Sequence, residues 1–225
     1  CNVFTWWPIT WAEGDPVMNE DGTEALLDSD TMKAVYQTFG ELWDEGVIHP
    51  DSQQEAGPTW TGYFPAGGIG IMPMPASLQG MANENLADED IGVTPIAGVT
   101  GGQSTFVGGD SIGISKDSQS VDQAWNFIAW MLDDEAQVEV VAKGGNVVAR
   151  SDLADNQYAA EDPRLVTFNE VAGVGETPLA QNFFAAFNDP QSPWIQLFRA
   201  AVFDDADDAA IDELNDGITF VLQGG

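Results

Sequence analysis

The stretch from Ser104 to Leu132 constrains the fold most. Ser104-Thr105-Phe106-Val107-Gly108-Gly109-Asp110-Ser111-Ile112-Gly113-Ile114-Ser115 alternates like a strand but carries a glycine pair at its centre. Glycine inside a strand marks a place where another backbone or a ligand comes close. A short polar loop follows. Ala124, Phe127, Ile128, Met131 and Leu132 then recur at helical spacing, which predicts an amphipathic helix with one apolar face.

The rest of the chain alternates helices and short strands. Asp28-Ser29-Asp30 caps a helix whose Met32, Val35, Tyr36, Phe39, Leu42 and Trp43 share one face, and Gly46 ends it. Glu13 to Leu27 reads as loop and hairpin, with Asn19-Glu20-Asp21-Gly22 as its turn. Asn19, Asp21 and Gly22 faintly resemble a calcium loop, but the later bidentate Glu is absent at the required spacing. Short strands are predicted over Ile69–Met72, after the Gly67-Gly68 turn, and over Ile91–Ile96. Asp133–Ala142 continues as a helix closed by Gly144-Gly145. Helices follow from Asp162-Pro163 to Val171, from Pro193, and from about Asp207, the last carrying Ile211, Leu214, Ile218 and Val221. Phe4, Trp6, Trp7 and Trp11 crowd the first eleven residues, and no one period accommodates all four.

Composition excludes whole classes of function. Six Lys and Arg against 37 Asp and Glu give a formal net charge of -31, which rules out general nucleic-acid affinity and disfavours an anionic membrane surface. With 44% hydrophobic residues the chain has enough apolar material for a core. One cysteine and one histidine leave no cysteine or histidine cluster for a metal, and no cofactor fingerprint is present. Gly109-Asp110-Ser111-Ile112-Gly113 matches the nucleophile-elbow pattern of serine hydrolases. That motif needs a helix directly after the serine, whereas strand pattern continues here. His49 would also precede the serine, against the order of that fold. Cys1 has two readings, the lipidated first residue of a mature lipoprotein or an interior residue at a truncation point; the second is favoured.

Several segments together resemble the extracellular solute-binding proteins of ABC transporters, in the sugar-binding, maltose-binding-protein-like family. They are the Ser104–Leu132 stretch, the helix exit Gly46-Val47-Ile48-His49-Pro50, the Phe64-turn-strand unit, the Gly92-Val93-Thr94-Pro95 strand, Asn146–Leu153 and the late helix with Trp194. Only the later part of a family member is matched. The family often carries a Gly-x-Trp ligand contact where this loop reads Met74-Pro75-Ala76-Ser77.

The resemblance implies a type II periplasmic-binding-protein-like α/β fold, two-lobed with a hinge, the first lobe largely absent. Residues 1–103 would form a second-lobe segment, 104–155 the hinge crossing and first-lobe helices, and 156–225 the second-lobe C-terminal helices. It implies an extracytoplasmic receptor rather than an enzyme. A mono- or oligosaccharide would lie between the lobes, held by aromatic stacking and hydrogen bonds. The partners would be ABC permease subunits, with membrane association only through a lipid anchor on the full-length protein. The residues it nominates for the ligand are Phe4, Trp6, Trp7, Trp11, Met74, Ser77, Gly108, Gly109, Asp110 and Trp194. Two alternatives stay open: a carbohydrate-active enzyme using two of the many carboxylates, and a binder of polyamine or peptide on the same fold.

Overall fold

In the computed structural model, residues 3–54, 62–78, 86–87, 90–109 and 111–225 are described. Trp60 and Asp110 lie outside them.

Helix α1 spans Val3–Ala12. It shows no clean apolar stripe because it is enclosed on more than one side: Val3, Trp7, Pro8 and Thr10 are all buried. Thr10 satisfies its hydroxyl by donating to the Met32 sulfur at 3.0 Å. A hairpin follows, as its turn residues predict. Met18 bridges Ala25, Gly22 donates to the Asn19 carbonyl at 3.0 Å, and Gly22 adopts φ +63°. A side chain at Gly22 would also sit 2.0 Å from the Leu179 carbonyl oxygen. Glycine is therefore required there twice, for its backbone angle and for the close approach.

Helix α2 spans Asp30–Asp44, and Ser29 caps it by accepting from the Met32 amide. It ends in a Schellman motif: Gly46 at φ +71° donates to Trp43, and Val47 donates to Leu42. The strand pattern after it is not realised. Over 69–72 the chain has no regular structure and Ile71 is 89% exposed. Over 91–96 only the last residue enters a strand. Strands β1 (Ile96–Ala97) and β2 (Gln103–Ser104) pair antiparallel, Ile96 with Ser104 and Ala97 with Gln103. Beyond β2 a parallel bridge joins Phe106 to Glu176, and 107–109 and 111–115 are irregular. The alternation is present in the sequence. A strand, however, needs a neighbouring backbone to bond, and among the described residues pairing beyond β2 ends at Val107, whose amide donates to the Glu176 carbonyl at 2.9 Å.

Helix α3 spans Val121–Met131, and none of its residues is buried. Helix α4 starts at Asp134–Ala136, capped by Asp133, and runs into a π-helical stretch, Gln137–Ala142. Helices α5 (Gln157–Glu161) and α6 (Pro163–Ala172) pack on one another and α5 on that stretch. The buried Gln137 ties this group together: its amide donates to the Met131 carbonyl at 2.7 Å, and its oxygen accepts from the Ala149 amide at 2.8 Å.

A π-helical turn, Phe184–Asn188, leads to α7 (Pro193–Phe203) and α8 (Asp208–Leu222). Helix α7 packs between α2 and α8. Ile211, Asn215, Ile218 and Leu222 form the buried stripe of α8. Leu214 and Val221, read from sequence as part of that face, are half-buried against the same core. Asn215 answers for backbone that no strand satisfies. Its oxygen accepts from the Leu27 amide and its amide donates to the Ala25 carbonyl, each at 3.0 Å, and Thr219 accepts from the Ala25 amide at 3.0 Å.

Replacing Asn215 with Ala leaves a buried donor and a buried acceptor unpaired. We expect Asn215→Ala to lower the unfolding free energy by about 2–4 kcal/mol, read by chemical denaturation, with Asn215→Leu no better.

Candidate functional site

A surface cavity of about 250 Å³ opens beside the end of α1. Trp11 forms one wall. The turn carrying Asp15, Asn19 and Glu20 forms another, and Glu176 with Pro178 closes the third side. Trp11 is held in place by its neighbours, edge-on to Trp7 at 6.0 Å and tilted against Phe106 at 5.8 Å.

The polar lining differs residue by residue. Asp15 accepts from the Thr31 hydroxyl. Asn19 spends its oxygen on the Thr23 and Glu24 amides at 2.9 and 3.1 Å, and its amide on the Thr23 hydroxyl at 3.1 Å. The Glu20 and Glu176 carboxylates have no hydrogen-bond partner among the described residues. No Lys or Arg lines the cavity. Four of the six cations are paired elsewhere: Lys33 with Asp212, Lys143 with Glu139, Arg150 with Asp134 and Asp152, and Arg164 with Asp162. The site therefore presents an aromatic face and hydrogen-bond acceptors. Among the described residues no group of three or more His, Cys, Asp or Glu is placed to hold a metal ion.

A clamp beside the cavity fixes the end of α1. Glu13 accepts from the Thr100 amide at 2.8 Å and from the Thr100 hydroxyl at 2.7 Å. Both bonds favour the charged form and hold its pKa below the ordinary carboxylate value, the amide bond contributing most. The hairpin turn lies so close that a side chain at Gly102 would meet the Ala12 carbonyl oxygen at 1.9 Å.

The residues nominated from sequence separate into distinct places. Trp11 lines the cavity. Phe4 is 38% exposed and stands edge-on to Phe106 at 4.6 Å. Trp6 is half-buried between Phe39 and Phe198, at 4.1 and 4.7 Å. Trp7 and Trp194 have no exposed surface and stand edge-on to each other at 6.0 Å, within the core. Met74 is half-buried and Ser77 exposed, the latter in a short 3-10 turn, Ala76–Leu78. Gly108 and Gly109 are exposed. A side chain at Gly109 would meet open space, and one at Gly108 only the Phe106 ring at 3.8 Å, so crowding by the protein does not explain these glycines. Asp110 falls outside the described residues. Asp15, Glu20, Glu176 and Pro178 were not legible as a site, because the two lining segments are brought together from more than 150 residues apart.

Residues 3–167 match the family of bacterial extracellular solute-binding proteins, and the chain belongs to that family. It is 23% identical over 159 residues to binding proteins of Brucella abortus (strain 2308) and Brucella suis biovar 1, covering 70% of this chain and 38% of theirs. Among solved structures it resembles a cyclic alpha-maltosyl-1,6-maltose binding protein from Arthrobacter globiformis, with TM-score 0.81 and 19% identity, covering 99% of this chain and 56% of that one. A sugar-binding protein from Xanthomonas citri gives TM-score 0.79 at 16% identity, covering 98% and 56%. A cyclo/maltodextrin-binding protein complexed with maltotetraose gives 0.78 at 15%, covering 99% and 56%. The fold is thus part of the two-lobed type II periplasmic-binding-protein architecture. The chain spans just over half the length of these solved structures.

Because Glu13 has a depressed pKa when folded, its contribution is present above the unfolded pKa and is lost as pH falls through the folded one. Thermal melts of the wild type and Glu13→Gln across pH 3 to 7 test this. The wild type should be the more stable at pH 6–7, and the difference should shrink as pH falls below the ordinary carboxylate range and through the lowered folded pKa.

Proposed function

We propose that this protein is the extracytoplasmic sugar receptor of an ABC importer, binding a neutral mono- or oligosaccharide without turning it over. One observation carries the reading: an aromatic wall, Trp11, stands beside a cavity lined by carboxylates and free of cations. Sugar rings offer an apolar C–H face to an aromatic ring and hydroxyl donors to carboxylate oxygens. Glu20 and Glu176 are the acceptors free to take those hydroxyls. The sugar-binding solved structures of the same fold support the same class of ligand.

The cavity is smaller than the roughly 300–1,000 Å³ of a complete small-molecule pocket. That size suits half a site, completed when a second lobe closes over it. In this reading 1–103 and 156–225 contribute one lobe, and 104–155 carries the chain across the hinge. Phe4 and Trp6 lie upstream of Trp11 on the same helix, and Met74, Ser77, Gly108, Gly109 and Asp110 supply contacts on closure. Trp7 and Trp194 support the wall from behind. Permease subunits read the closed form, and a lipid anchor on the full-length protein holds the receptor at the membrane.

Titrating tryptophan fluorescence with maltose, maltotetraose and a panel of other neutral sugars tests the reading. A saturable shift is expected, weakened at least tenfold in Trp11→Ala and in Glu176→Gln. Uronic-acid oligosaccharides should bind more weakly than neutral ones, because no cation lines the cavity. No shift with any sugar, or consumption of the sugar during the titration, would overturn it.

A further inference from the structure

Helix α1 ends between two parts of the cavity wall. Trp11 lines the cavity, and so do Gly14 and Asp15, whereas Ala12 and Glu13 between them do not. The chain reverses at this point. Gly14 takes φ +90° and donates to the Trp11 carbonyl at 2.9 Å, and the Asp15 amide donates to the Thr10 carbonyl at 3.3 Å. The two residues that do not line the cavity are the ones gripped by the β1–β2 hairpin. Both carboxylate oxygens of Glu13 accept from Thr100 at the hairpin turn, Oε1 from the amide and Oε2 from the hydroxyl. A side chain at Gly98 would sit 2.2 Å from Glu13 Oε1, and one at Gly102 would meet the Ala12 carbonyl, so both arms of the hairpin are moulded to this helix end. Phe106, just beyond β2, lies against the Trp11 ring. The hairpin segment thus meets the wall twice, at the backbone after Trp11 and at the ring itself.

We propose that Glu13 is a positioning residue for the ligand wall. By pinning the last turn of α1 to the hairpin, it sets the angle of the Trp11 ring and the gap between that ring and the wall formed by 14–20, without touching the ligand. Two physical points favour this over a clamp that serves stability alone. A carboxylate just past a helix C-terminus faces the negative end of the helix dipole, so Glu13 stands against the electrostatics of its own helix, and its bonds to Thr100 offset that. The last turn of a helix is also where fraying starts, and Trp11 lies in that turn. Trp7 holds the Trp11 ring from the core side; the clamp holds its backbone from the hairpin side. The part played in binding rests on the reading of this cavity as a sugar site, whereas the placing of the ring does not.

Fluorine NMR of the protein labelled with 5-fluorotryptophan tests the placing, with the Trp11 resonance assigned by Trp11→Phe. That resonance should move in Glu13→Ala. It should move also in Thr100→Val, which keeps the net charge and removes only the hydroxyl bond, and which carries the test should Glu13→Ala not fold. Thr100→Ser keeps both bonds and should leave the resonance at its wild-type position. The Trp125 resonance, from α3, should hold in all three. Calorimetric titration with maltotetraose, at a temperature below every melting transition, tests the consequence. Affinity should fall about fivefold or more in Glu13→Ala, by less in Thr100→Val, and not at all in Thr100→Ser. A clamp that serves stability alone would lower the melting temperature and leave the Trp11 resonance and the affinity where they were, and that result would overturn the proposal. A resonance that moves while the affinity holds would overturn it too. If the wild type binds no neutral sugar, the reading of the cavity fails, and the resonance alone decides whether Glu13 places the ring.

Discussion

The Trp7 ring is the contact on which the rest of the packed body depends. It lies edge-on to Trp11, Phe183, Phe187 and Trp194 at centroid distances between 4.7 and 6.0 Å. Each such pair contributes about 0.5–1.5 kcal/mol beyond the area it buries. More important is what the four partners join: the first helix, the π-helical turn and the helix that begins at Pro193. Trp11 lies one turn further along α1, so the orientation of the cavity wall is set by a ring in the core. A change at Trp7 reaches the site without touching it.

The helices were legible because each carries its own evidence. Ser29, the 32/35/36 stripe and Gly46 mark the start, buried face and end of α2, and the structure realises all three. The turn at Gly22 was legible for the same reason. The strands were not, since alternation records a tendency whose partner lies elsewhere. Ile69–Met72 alternates as a strand should, yet among the described residues nothing pairs with it. The crowded aromatics of α1 gave no period from which to assign the helix that forms there. A helix enclosed on more than one side has no polar face to give its period away. Of the candidate cavity, Trp11 was nominated from residue type. Its partners Glu20 and Glu176 were hidden in a surplus of carboxylates and joined only by the tertiary fold.

The acidity that dominates the composition becomes informative once it is located. The cations paired in the structure lie away from the cavity, and Arg150 alone holds two carboxylates, at 2.6 and 2.5 Å. What is left beside Trp11 is acceptor-rich and donor-poor. That suits a ligand which brings its own hydrogen-bond donors, as a polyhydroxylated molecule does. Glu13 shows a different use of the same residue type, with its charge committed to fastening a hairpin to a helix end.

The bond set made by Asn215 and Thr219 spans about 190 residues, from Ala25 and Leu27 near one end of the chain to α8 near the other. A growing chain cannot make these bonds until α8 has been synthesised. Loop-closure entropy weighs heavily on contacts so distant in sequence. The body built on Trp7 is therefore assembled late. Until then Ala25 and Leu27 lack the side chains that pair with their backbone groups.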